Sequence, residues 1–212
     1  KKIQYLDYKY LDEVNSNFDW IMGCPVETSI GYKIPIQKLK ILKKRCKSKL
    51  ALDATASIGL ERDHEYSDVS AFSSCKGLFG LTGASFVVFN SNAQNEILQF
   101  NLDIQTHLQK KMTGPYHAIC SLNDVLKNYD DFKYSVLTNK KYCLKKMNDR
   151  LKYKIENQPN LCTLIDAKIK RKNRKVILYQ SRGNISGSII CHLGEVHLKK
   201  KSKGKILDSI YY

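Results

Sequence analysis

Residues 49–90 read KLALDATASIGLERDHEYSDVSAFSSCKGLFGLTGASFVVFN, and the fold follows from this stretch. An apolar run, Leu50-Ala51-Leu52, ends on the carboxylate of Asp53. A second run, Val69–Ser73, leads into Ser74-Cys75-Lys76. A loop with Gly77, Gly80 and Gly83 follows, and then a third apolar run, Ala84 to Phe89. Short apolar runs bounded by turn residues predict buried strands. One strand end delivers an acid, and another delivers a lysine into a flexible loop. Ligands of open α/β sheets bind at such strand ends.

Upstream, Asp19–Cys24 predicts a short buried strand and Pro25–Gly31 a loop. Pro35 suits the first turn of a helix, because its missing N–H is not needed there. Ile36, Leu39, Ile41, Leu42 and Cys46 give that helix an apolar face opposite its lysines. Strand, helix and strand at this spacing form a βαβ unit with parallel strands and a right-handed crossover. Before it, Ile3–Leu6 suggests a short strand and Leu11–Val14 a helical turn.

Downstream, Asn95–Leu108 predicts a helix, which Gly114-Pro115 interrupts. Helical spacing resumes at Ile119, Leu122, Val125 and Leu126, and again over Tyr134–Leu151. Beyond Pro159 the pattern changes to short strands at Leu161–Ile165, Lys175–Tyr179 and Ser188–Cys191. The basic run Leu198–Lys205 reads as a solvated helix end or loop. The expected fold class is therefore α/β, a three-layer α/β/α arrangement around a mostly parallel sheet, followed by a small α+β domain. Residues 1–115 are assigned to the first part, and residues 116–212 to a linking helix and the second.

The chain has 212 residues, enough for a sizeable core. Its net charge of +16 points toward nucleic acid only at first sight. Lysine outnumbers arginine 30 to 6 and is scattered along the chain, whereas nucleic-acid sites concentrate Arg and aromatics in one patch. No apolar run reaches the ~18–20 residues of a membrane span, so no membrane partner is expected. No apolar signal region is visible at the N-terminus. The seven cysteines are odd in number and contain no C-x-x-C, which reads as reduced thiols in a cytoplasmic protein. The five histidines share no metal-ligand spacing, so no metal is expected.

A lysine and a carboxylate at neighbouring strand ends are what pyridoxal phosphate requires: the lysine forms a Schiff base and the carboxylate partners the pyridinium nitrogen. Taken alone, each residue also has an ordinary role, Lys76 as a loop charge and Asp53 as a cap or turn residue. The chain resembles the class V aminotransferases of pyridoxal-phosphate fold type I, nearest the 2-aminoethylphosphonate–pyruvate branch. Val26-Glu27-Thr28-Ser29-Ile30-Gly31 is similar to the H-x-E-T-T-x-G loop of that family, and Asp53-Ala54-Thr55-Ala56-Ser57 to its D-A-x-S-S strand end. Ser73-Ser74-Cys75-Lys76 resembles its S-S-x-K. Met112-Thr113-Gly114-Pro115-Tyr116-His117 resembles F-T-x-P-x-H, and Gly194-Glu195-Val196 the end of a later strand. Each motif is weak alone, but the five occur in the family's order.

The resemblance implies that Lys76 is the Schiff-base lysine and proton shuttle, and that Asp53 keeps the ring nitrogen protonated. It gives Thr28 a hydrogen bond on the 3′-oxygen side of the ring, packs Thr55 on a ring face and makes Ser74 a phosphate ligand. It further implies a homodimer in which the Thr113 loop reaches the neighbouring subunit's site. The substrates would be a small-molecule amine and a keto acid.

Two departures qualify this. The family's arginine for the substrate acid group falls at Ile189, with Arg182 a candidate substitute. The family's N-terminal segment, which supplies further phosphate ligands and the group stacked on the ring, has almost no counterpart in this sequence. A lyase or other reaction on the same lysine, and a non-catalytic relative of the fold, are the alternatives.

Overall fold

A computed structural model describes residues 3–90, 103–110, 114–172, 174, 178, 185–194, 196–197 and 208–211. The first strand, β1 (Trp20–Gly23), leads through a small hairpin, β2 (Val26–Glu27) and β3 (Tyr32–Lys33), to helix α1 (Ile36–Arg45). Strands β4 (Lys49–Asp53), β5 (Val69–Ser73) and β6 (Ser85–Phe89) follow, and the central sheet runs β1-β4-β5-β6. β1 and β5 both pair with β4 in parallel, and β6 returns antiparallel to β5. The fold is α/β with a mostly parallel sheet, as the spacing predicts.

Two-residue periodicity explains the packing of this sheet. Ile21, Leu50 and Leu52 point to one face, where Ile36, Leu39 and Leu42 of α1 cover them. Lys43 of α1 pairs with Asp68 at 2.6 Å, and the same carboxylate accepts the Leu50 N–H at 2.7 Å. Asp68 thus ties the helix to β4 just ahead of β5. The alternate residues Trp20, Met22, Lys49, Asp53, Ala71 and Val87 are exposed. Among the described residues this second face of the sheet carries no helix.

The N-terminal expectations are corrected in detail. Ile3–Leu6 is irregular rather than a strand, and a 3₁₀ turn occupies Tyr8–Tyr10. Leu11 and Val14 still pack on the α1 cluster, and the Arg45 guanidinium holds both of their carbonyls. The expected Pro25–Gly31 loop contains β2, because the chain doubles back tightly at Thr28–Gly31.

Helix α2 (Ile104–Lys110) overlaps the end of the expected Asn95–Leu108 helix, whose residues 95–102 lie outside the described residues. Helices α3 (Tyr116–Leu126) and α4 (Tyr129–Lys146) follow. α4 starts and stops five residues earlier than periodicity predicts. Asp130 and Asp131 favour its N-terminus electrostatically, and Met147 leaves helical geometry. Met147 and Leu151 keep helical spacing but reach the core from the cap between α4 and a 3₁₀ turn and from an isolated bridge. Strands β7 (Cys162–Ile165) and β9 (Ser188–Cys191) pair antiparallel, and β8 (Lys170–Arg171) pairs with β10 (Ile210–Tyr211). The expected Lys175–Tyr179 strand and the Leu198–Lys205 run lie largely or wholly outside the described residues. One core cluster joins Val26, Ala56, Leu60 and Phe79 to Val136, Leu161, Cys162 and Val196, so the two ends of the chain share packing.

Candidate active site

Because β1, β4 and β5 are parallel, their C-terminal ends share one edge of the sheet. Asp53 is the last residue of β4 and registers with Ala71; β5 runs two residues further, to Ser73. The chain then turns through Ser74 and Cys75 into a 3₁₀ turn, Lys76–Leu78. The β2–β3 hairpin, with Thr28 in its turn, leaves the end of β1 on the same edge. The topology therefore gathers Thr28, Asp53, Thr55, Ser74 and Lys76 in one region.

The carboxylate of Asp53 accepts the Thr55 N–H at 3.0 Å, which fixes its direction at the start of the following turn. Lys76 is half-buried and has φ of 52°, a left-handed conformation that costs a non-glycine residue about 1–2 kcal/mol. The surroundings hold it there. A Cβ on Gly77 would lie 2.2 Å from the Ile58 carbonyl, and one on Gly80 would lie 2.8 Å from the Ser74 carbonyl. Only glycine lets the turn pack this closely against its neighbours. No ion pair joins Asp53 to Lys76.

The Ser74 side chain is buried and turned into the loop. Its hydroxyl donates to the Leu81 carbonyl and accepts the Ala84 N–H at 3.3 Å, and its backbone bonds to Ala84 and Gly80. Ser74 therefore clamps the loop that carries Lys76, and a phosphate role for its hydroxyl would have to break these bonds. Thr28 and Thr55 are half-buried beside the edge. Thr113 and Arg182 lie outside the described residues.

Three cysteines whose spacing gives no hint of a site border this region. Cys24, just past β1, donates its thiol proton to the Val26 carbonyl at 3.1 Å. Burial pushes that thiol up to about 11; the charges of Asp53 and Glu27 push the same way, and Lys76 opposes them. Lys76 also acts on Cys162 and Cys191 across from it. Lys76 thus shares an electrostatic neighbourhood with Cys24 and with the cysteines of β7 and β9, and Asp53 shares that of Cys24. Ile189, half-buried on β9, packs against the core cluster that contains Cys162. A cleft of about 570 Å³ lined by Tyr5, Tyr8, Cys24, Glu27, Ile30 and Tyr32 opens beside the β2–β3 hairpin. Among the described residues no group of three His, Cys, Asp or Glu could hold a metal ion.

No protein-family model and no curated protein matches the sequence. Solved structures do. The fold is similar to that of an alanine–glyoxylate aminotransferase from Nostoc sp., at TM-score 0.57 and 19% identity over 71% of this chain and 46% of that one. A phosphoserine aminotransferase from Cytophaga hutchinsonii matches at TM-score 0.59 and 18% identity, over 72% of this chain and 50% of that one. A ureidoglycine–glyoxylate aminotransferase from Bacillus subtilis matches at TM-score 0.61 and 15% identity, over 85% and 55%. The chain has the aminotransferase fold. It spans about half the length of each of these structures.

Proposed function

We propose that this chain carries the acid and lysine of a pyridoxal-phosphate-dependent aminotransferase. The observation that carries the reading is the pairing of Asp53 and Lys76 at the C-terminal ends of adjacent parallel strands, with no ion pair between them. The donor set fits the group: a carboxylate for a ring nitrogen, a primary amine for an aldehyde, and the hydroxyls of Thr28 and Thr55 at the same edge. When bound, pyridoxal phosphate supplies an electron sink for a substrate carbanion. Asp53 would supply the carboxylate that holds the ring nitrogen protonated. Lys76 would supply the primary amine that holds the cofactor's aldehyde and the base that moves a proton at the substrate carbon. Gly77, Gly80 and Ser74 hold the turn that aims it.

The finer reading rests on the motif resemblance alone. It makes the donor an amine like 2-aminoethylphosphonate and the acceptor a keto acid such as pyruvate. It includes a homodimer sharing the Thr113 loop, and a cytoplasmic location. Ile189 favours a second reading, a lyase or other fold type I reaction, or a non-catalytic relative, because an apolar side chain cannot make the bidentate contact to an acid group.

Titrating the full-length protein with pyridoxal phosphate tests the proposal. A visible absorbance band that Lys76→Ala removes, and that bleaches with an amine donor and returns with a keto acid, supports it. A protein that stays colourless in excess cofactor overturns it. A stable band that no amine donor bleaches favours the second reading.

A further inference from the structure

The strand pair β7–β9 holds two cysteines opposite one another. Cys162 and Cys191 are direct cross-strand partners in the antiparallel register, so their side chains leave the same face of the pair. The hydrogen-bond phase of the ladder fixes how close they come. The His192 N–H donates to the Leu161 carbonyl at 2.9 Å, which makes the next pair outward a hydrogen-bonded one. Phase alternates along an antiparallel ladder, so Cys162–Cys191 is a non-hydrogen-bonded pair. Such pairs have Cα atoms about 4.5 Å apart, at the near end of the roughly 4.4–6.8 Å that a disulfide spans. Both thiols are free in this structure. Among the cysteines, only Cys191 contributes to the electrostatic surroundings of Cys162.

The two thiols differ in access. Cys162 is 2% exposed and lies in the core cluster, whereas Cys191 is exposed at the end of β9. Thiol–disulfide exchange needs one reachable sulfur to start and one neighbouring sulfur to finish. This pair supplies both in a fixed order.

We infer that Cys162 and Cys191 form a reversible cross-strand disulfide, made by exchange with a low-molecular-weight disulfide such as glutathione disulfide. The Cys191 thiolate attacks one sulfur of the oxidant, whose S–S bond breaks and releases one thiol. The Cys162 thiolate then attacks the Cys191 sulfur, forming the cross-strand bond and releasing the second thiol. The protein gives up two electrons and two protons, and the oxidant becomes two thiols. The bond fastens β7 to β9 beside Lys76, whose charge acts on both sulfurs in the reduced form. Burial raises both thiols, that of Cys162 to about 12; because Cys191 is the exposed one, a mixed disulfide on Cys191 precedes closure.

Incubating the full-length protein with glutathione disulfide, blocking free thiols in denaturant and mapping peptides tests the inference without requiring bound cofactor. It therefore fails or succeeds independently of the proposed activity. The expected result is a Cys162–Cys191 linked peptide, two fewer free thiols among the seven of this chain, and full recovery with dithiothreitol. Cys162→Ser should stop the reaction at a glutathione adduct on Cys191, and Cys191→Ser should leave Cys162 unmodified. Wild-type protein that keeps both thiols free, or that accumulates only the glutathione adduct, overturns the inference.

Discussion

At the scale of single residues, His192 shows how burial sets a titration. It is 2% exposed; its Nδ1–H donates to the Asn160 carbonyl at 2.8 Å, and its Nε2 accepts the Thr163 hydroxyl at 3.1 Å. Both bonds suit the neutral ring, and burial lowers its pKa from 6.5 to about 4. Below pH 6.5 the unfolded chain binds a proton that the folded chain refuses, so stability is lost as pH falls toward 4. The loss by about pH 4 is on the order of 3 kcal/mol. Urea unfolding between pH 7.5 and 4 should show it, and His192→Gln should flatten that slope while lowering stability at pH 7.5. The sequence marks Asp53 and Lys76 as candidates because both follow apolar runs at strand ends. It gives no sign of the burial of His192, nor that Ser74 turns inward, since that direction is set by closure of the loop onto Leu81 and Ala84.

Elements carry the next set of consequences. Leu50 is fully buried between α1 and the sheet, and Leu50→Ala should cost about 2–5 kcal/mol in chemical denaturation. Gly77→Ala tests the turn that carries Lys76. Its Cβ would meet the Ile58 carbonyl, so the turn must shift, at a cost of roughly 1–3 kcal/mol. If the turn aims Lys76, the variant should also bind pyridoxal phosphate at least tenfold more weakly, read by absorbance titration. Unchanged binding would detach the turn from the site. The strands over Val69–Ser73 and Ser188–Cys191 are legible to the residue, and Ser85–Phe89 to within one, because turn residues bound them. The ends of α4 are not. Met147 and Leu151 continue its apolar spacing while packing through another backbone geometry, and spacing alone cannot separate the two.

For the whole molecule, a parallel sheet gathers ends of separated segments, which is why Thr28, Asp53 and Lys76 lie toward one end of the sheet although the first and last are 48 positions apart. The order of the apolar runs makes that convergence readable. The approach of β7 and β9 to the same edge is not readable, because packing between distant segments brings Cys162, Ile189 and Cys191 there. The exposed face bearing Trp20 and Met22 likewise follows from register, since alternate residues must point away from α1. The central claim is that Lys76 takes the cofactor covalently with Asp53 as its ring partner. Reductive trapping tests it most directly: the full-length protein is incubated with pyridoxal phosphate, reduced with borohydride, digested and mapped by mass spectrometry. The account predicts one stoichiometric pyridoxyl adduct on the peptide containing Lys76, much reduced by Asp53→Ala. Adducts spread over surface lysines with Lys76 unmodified would contradict it.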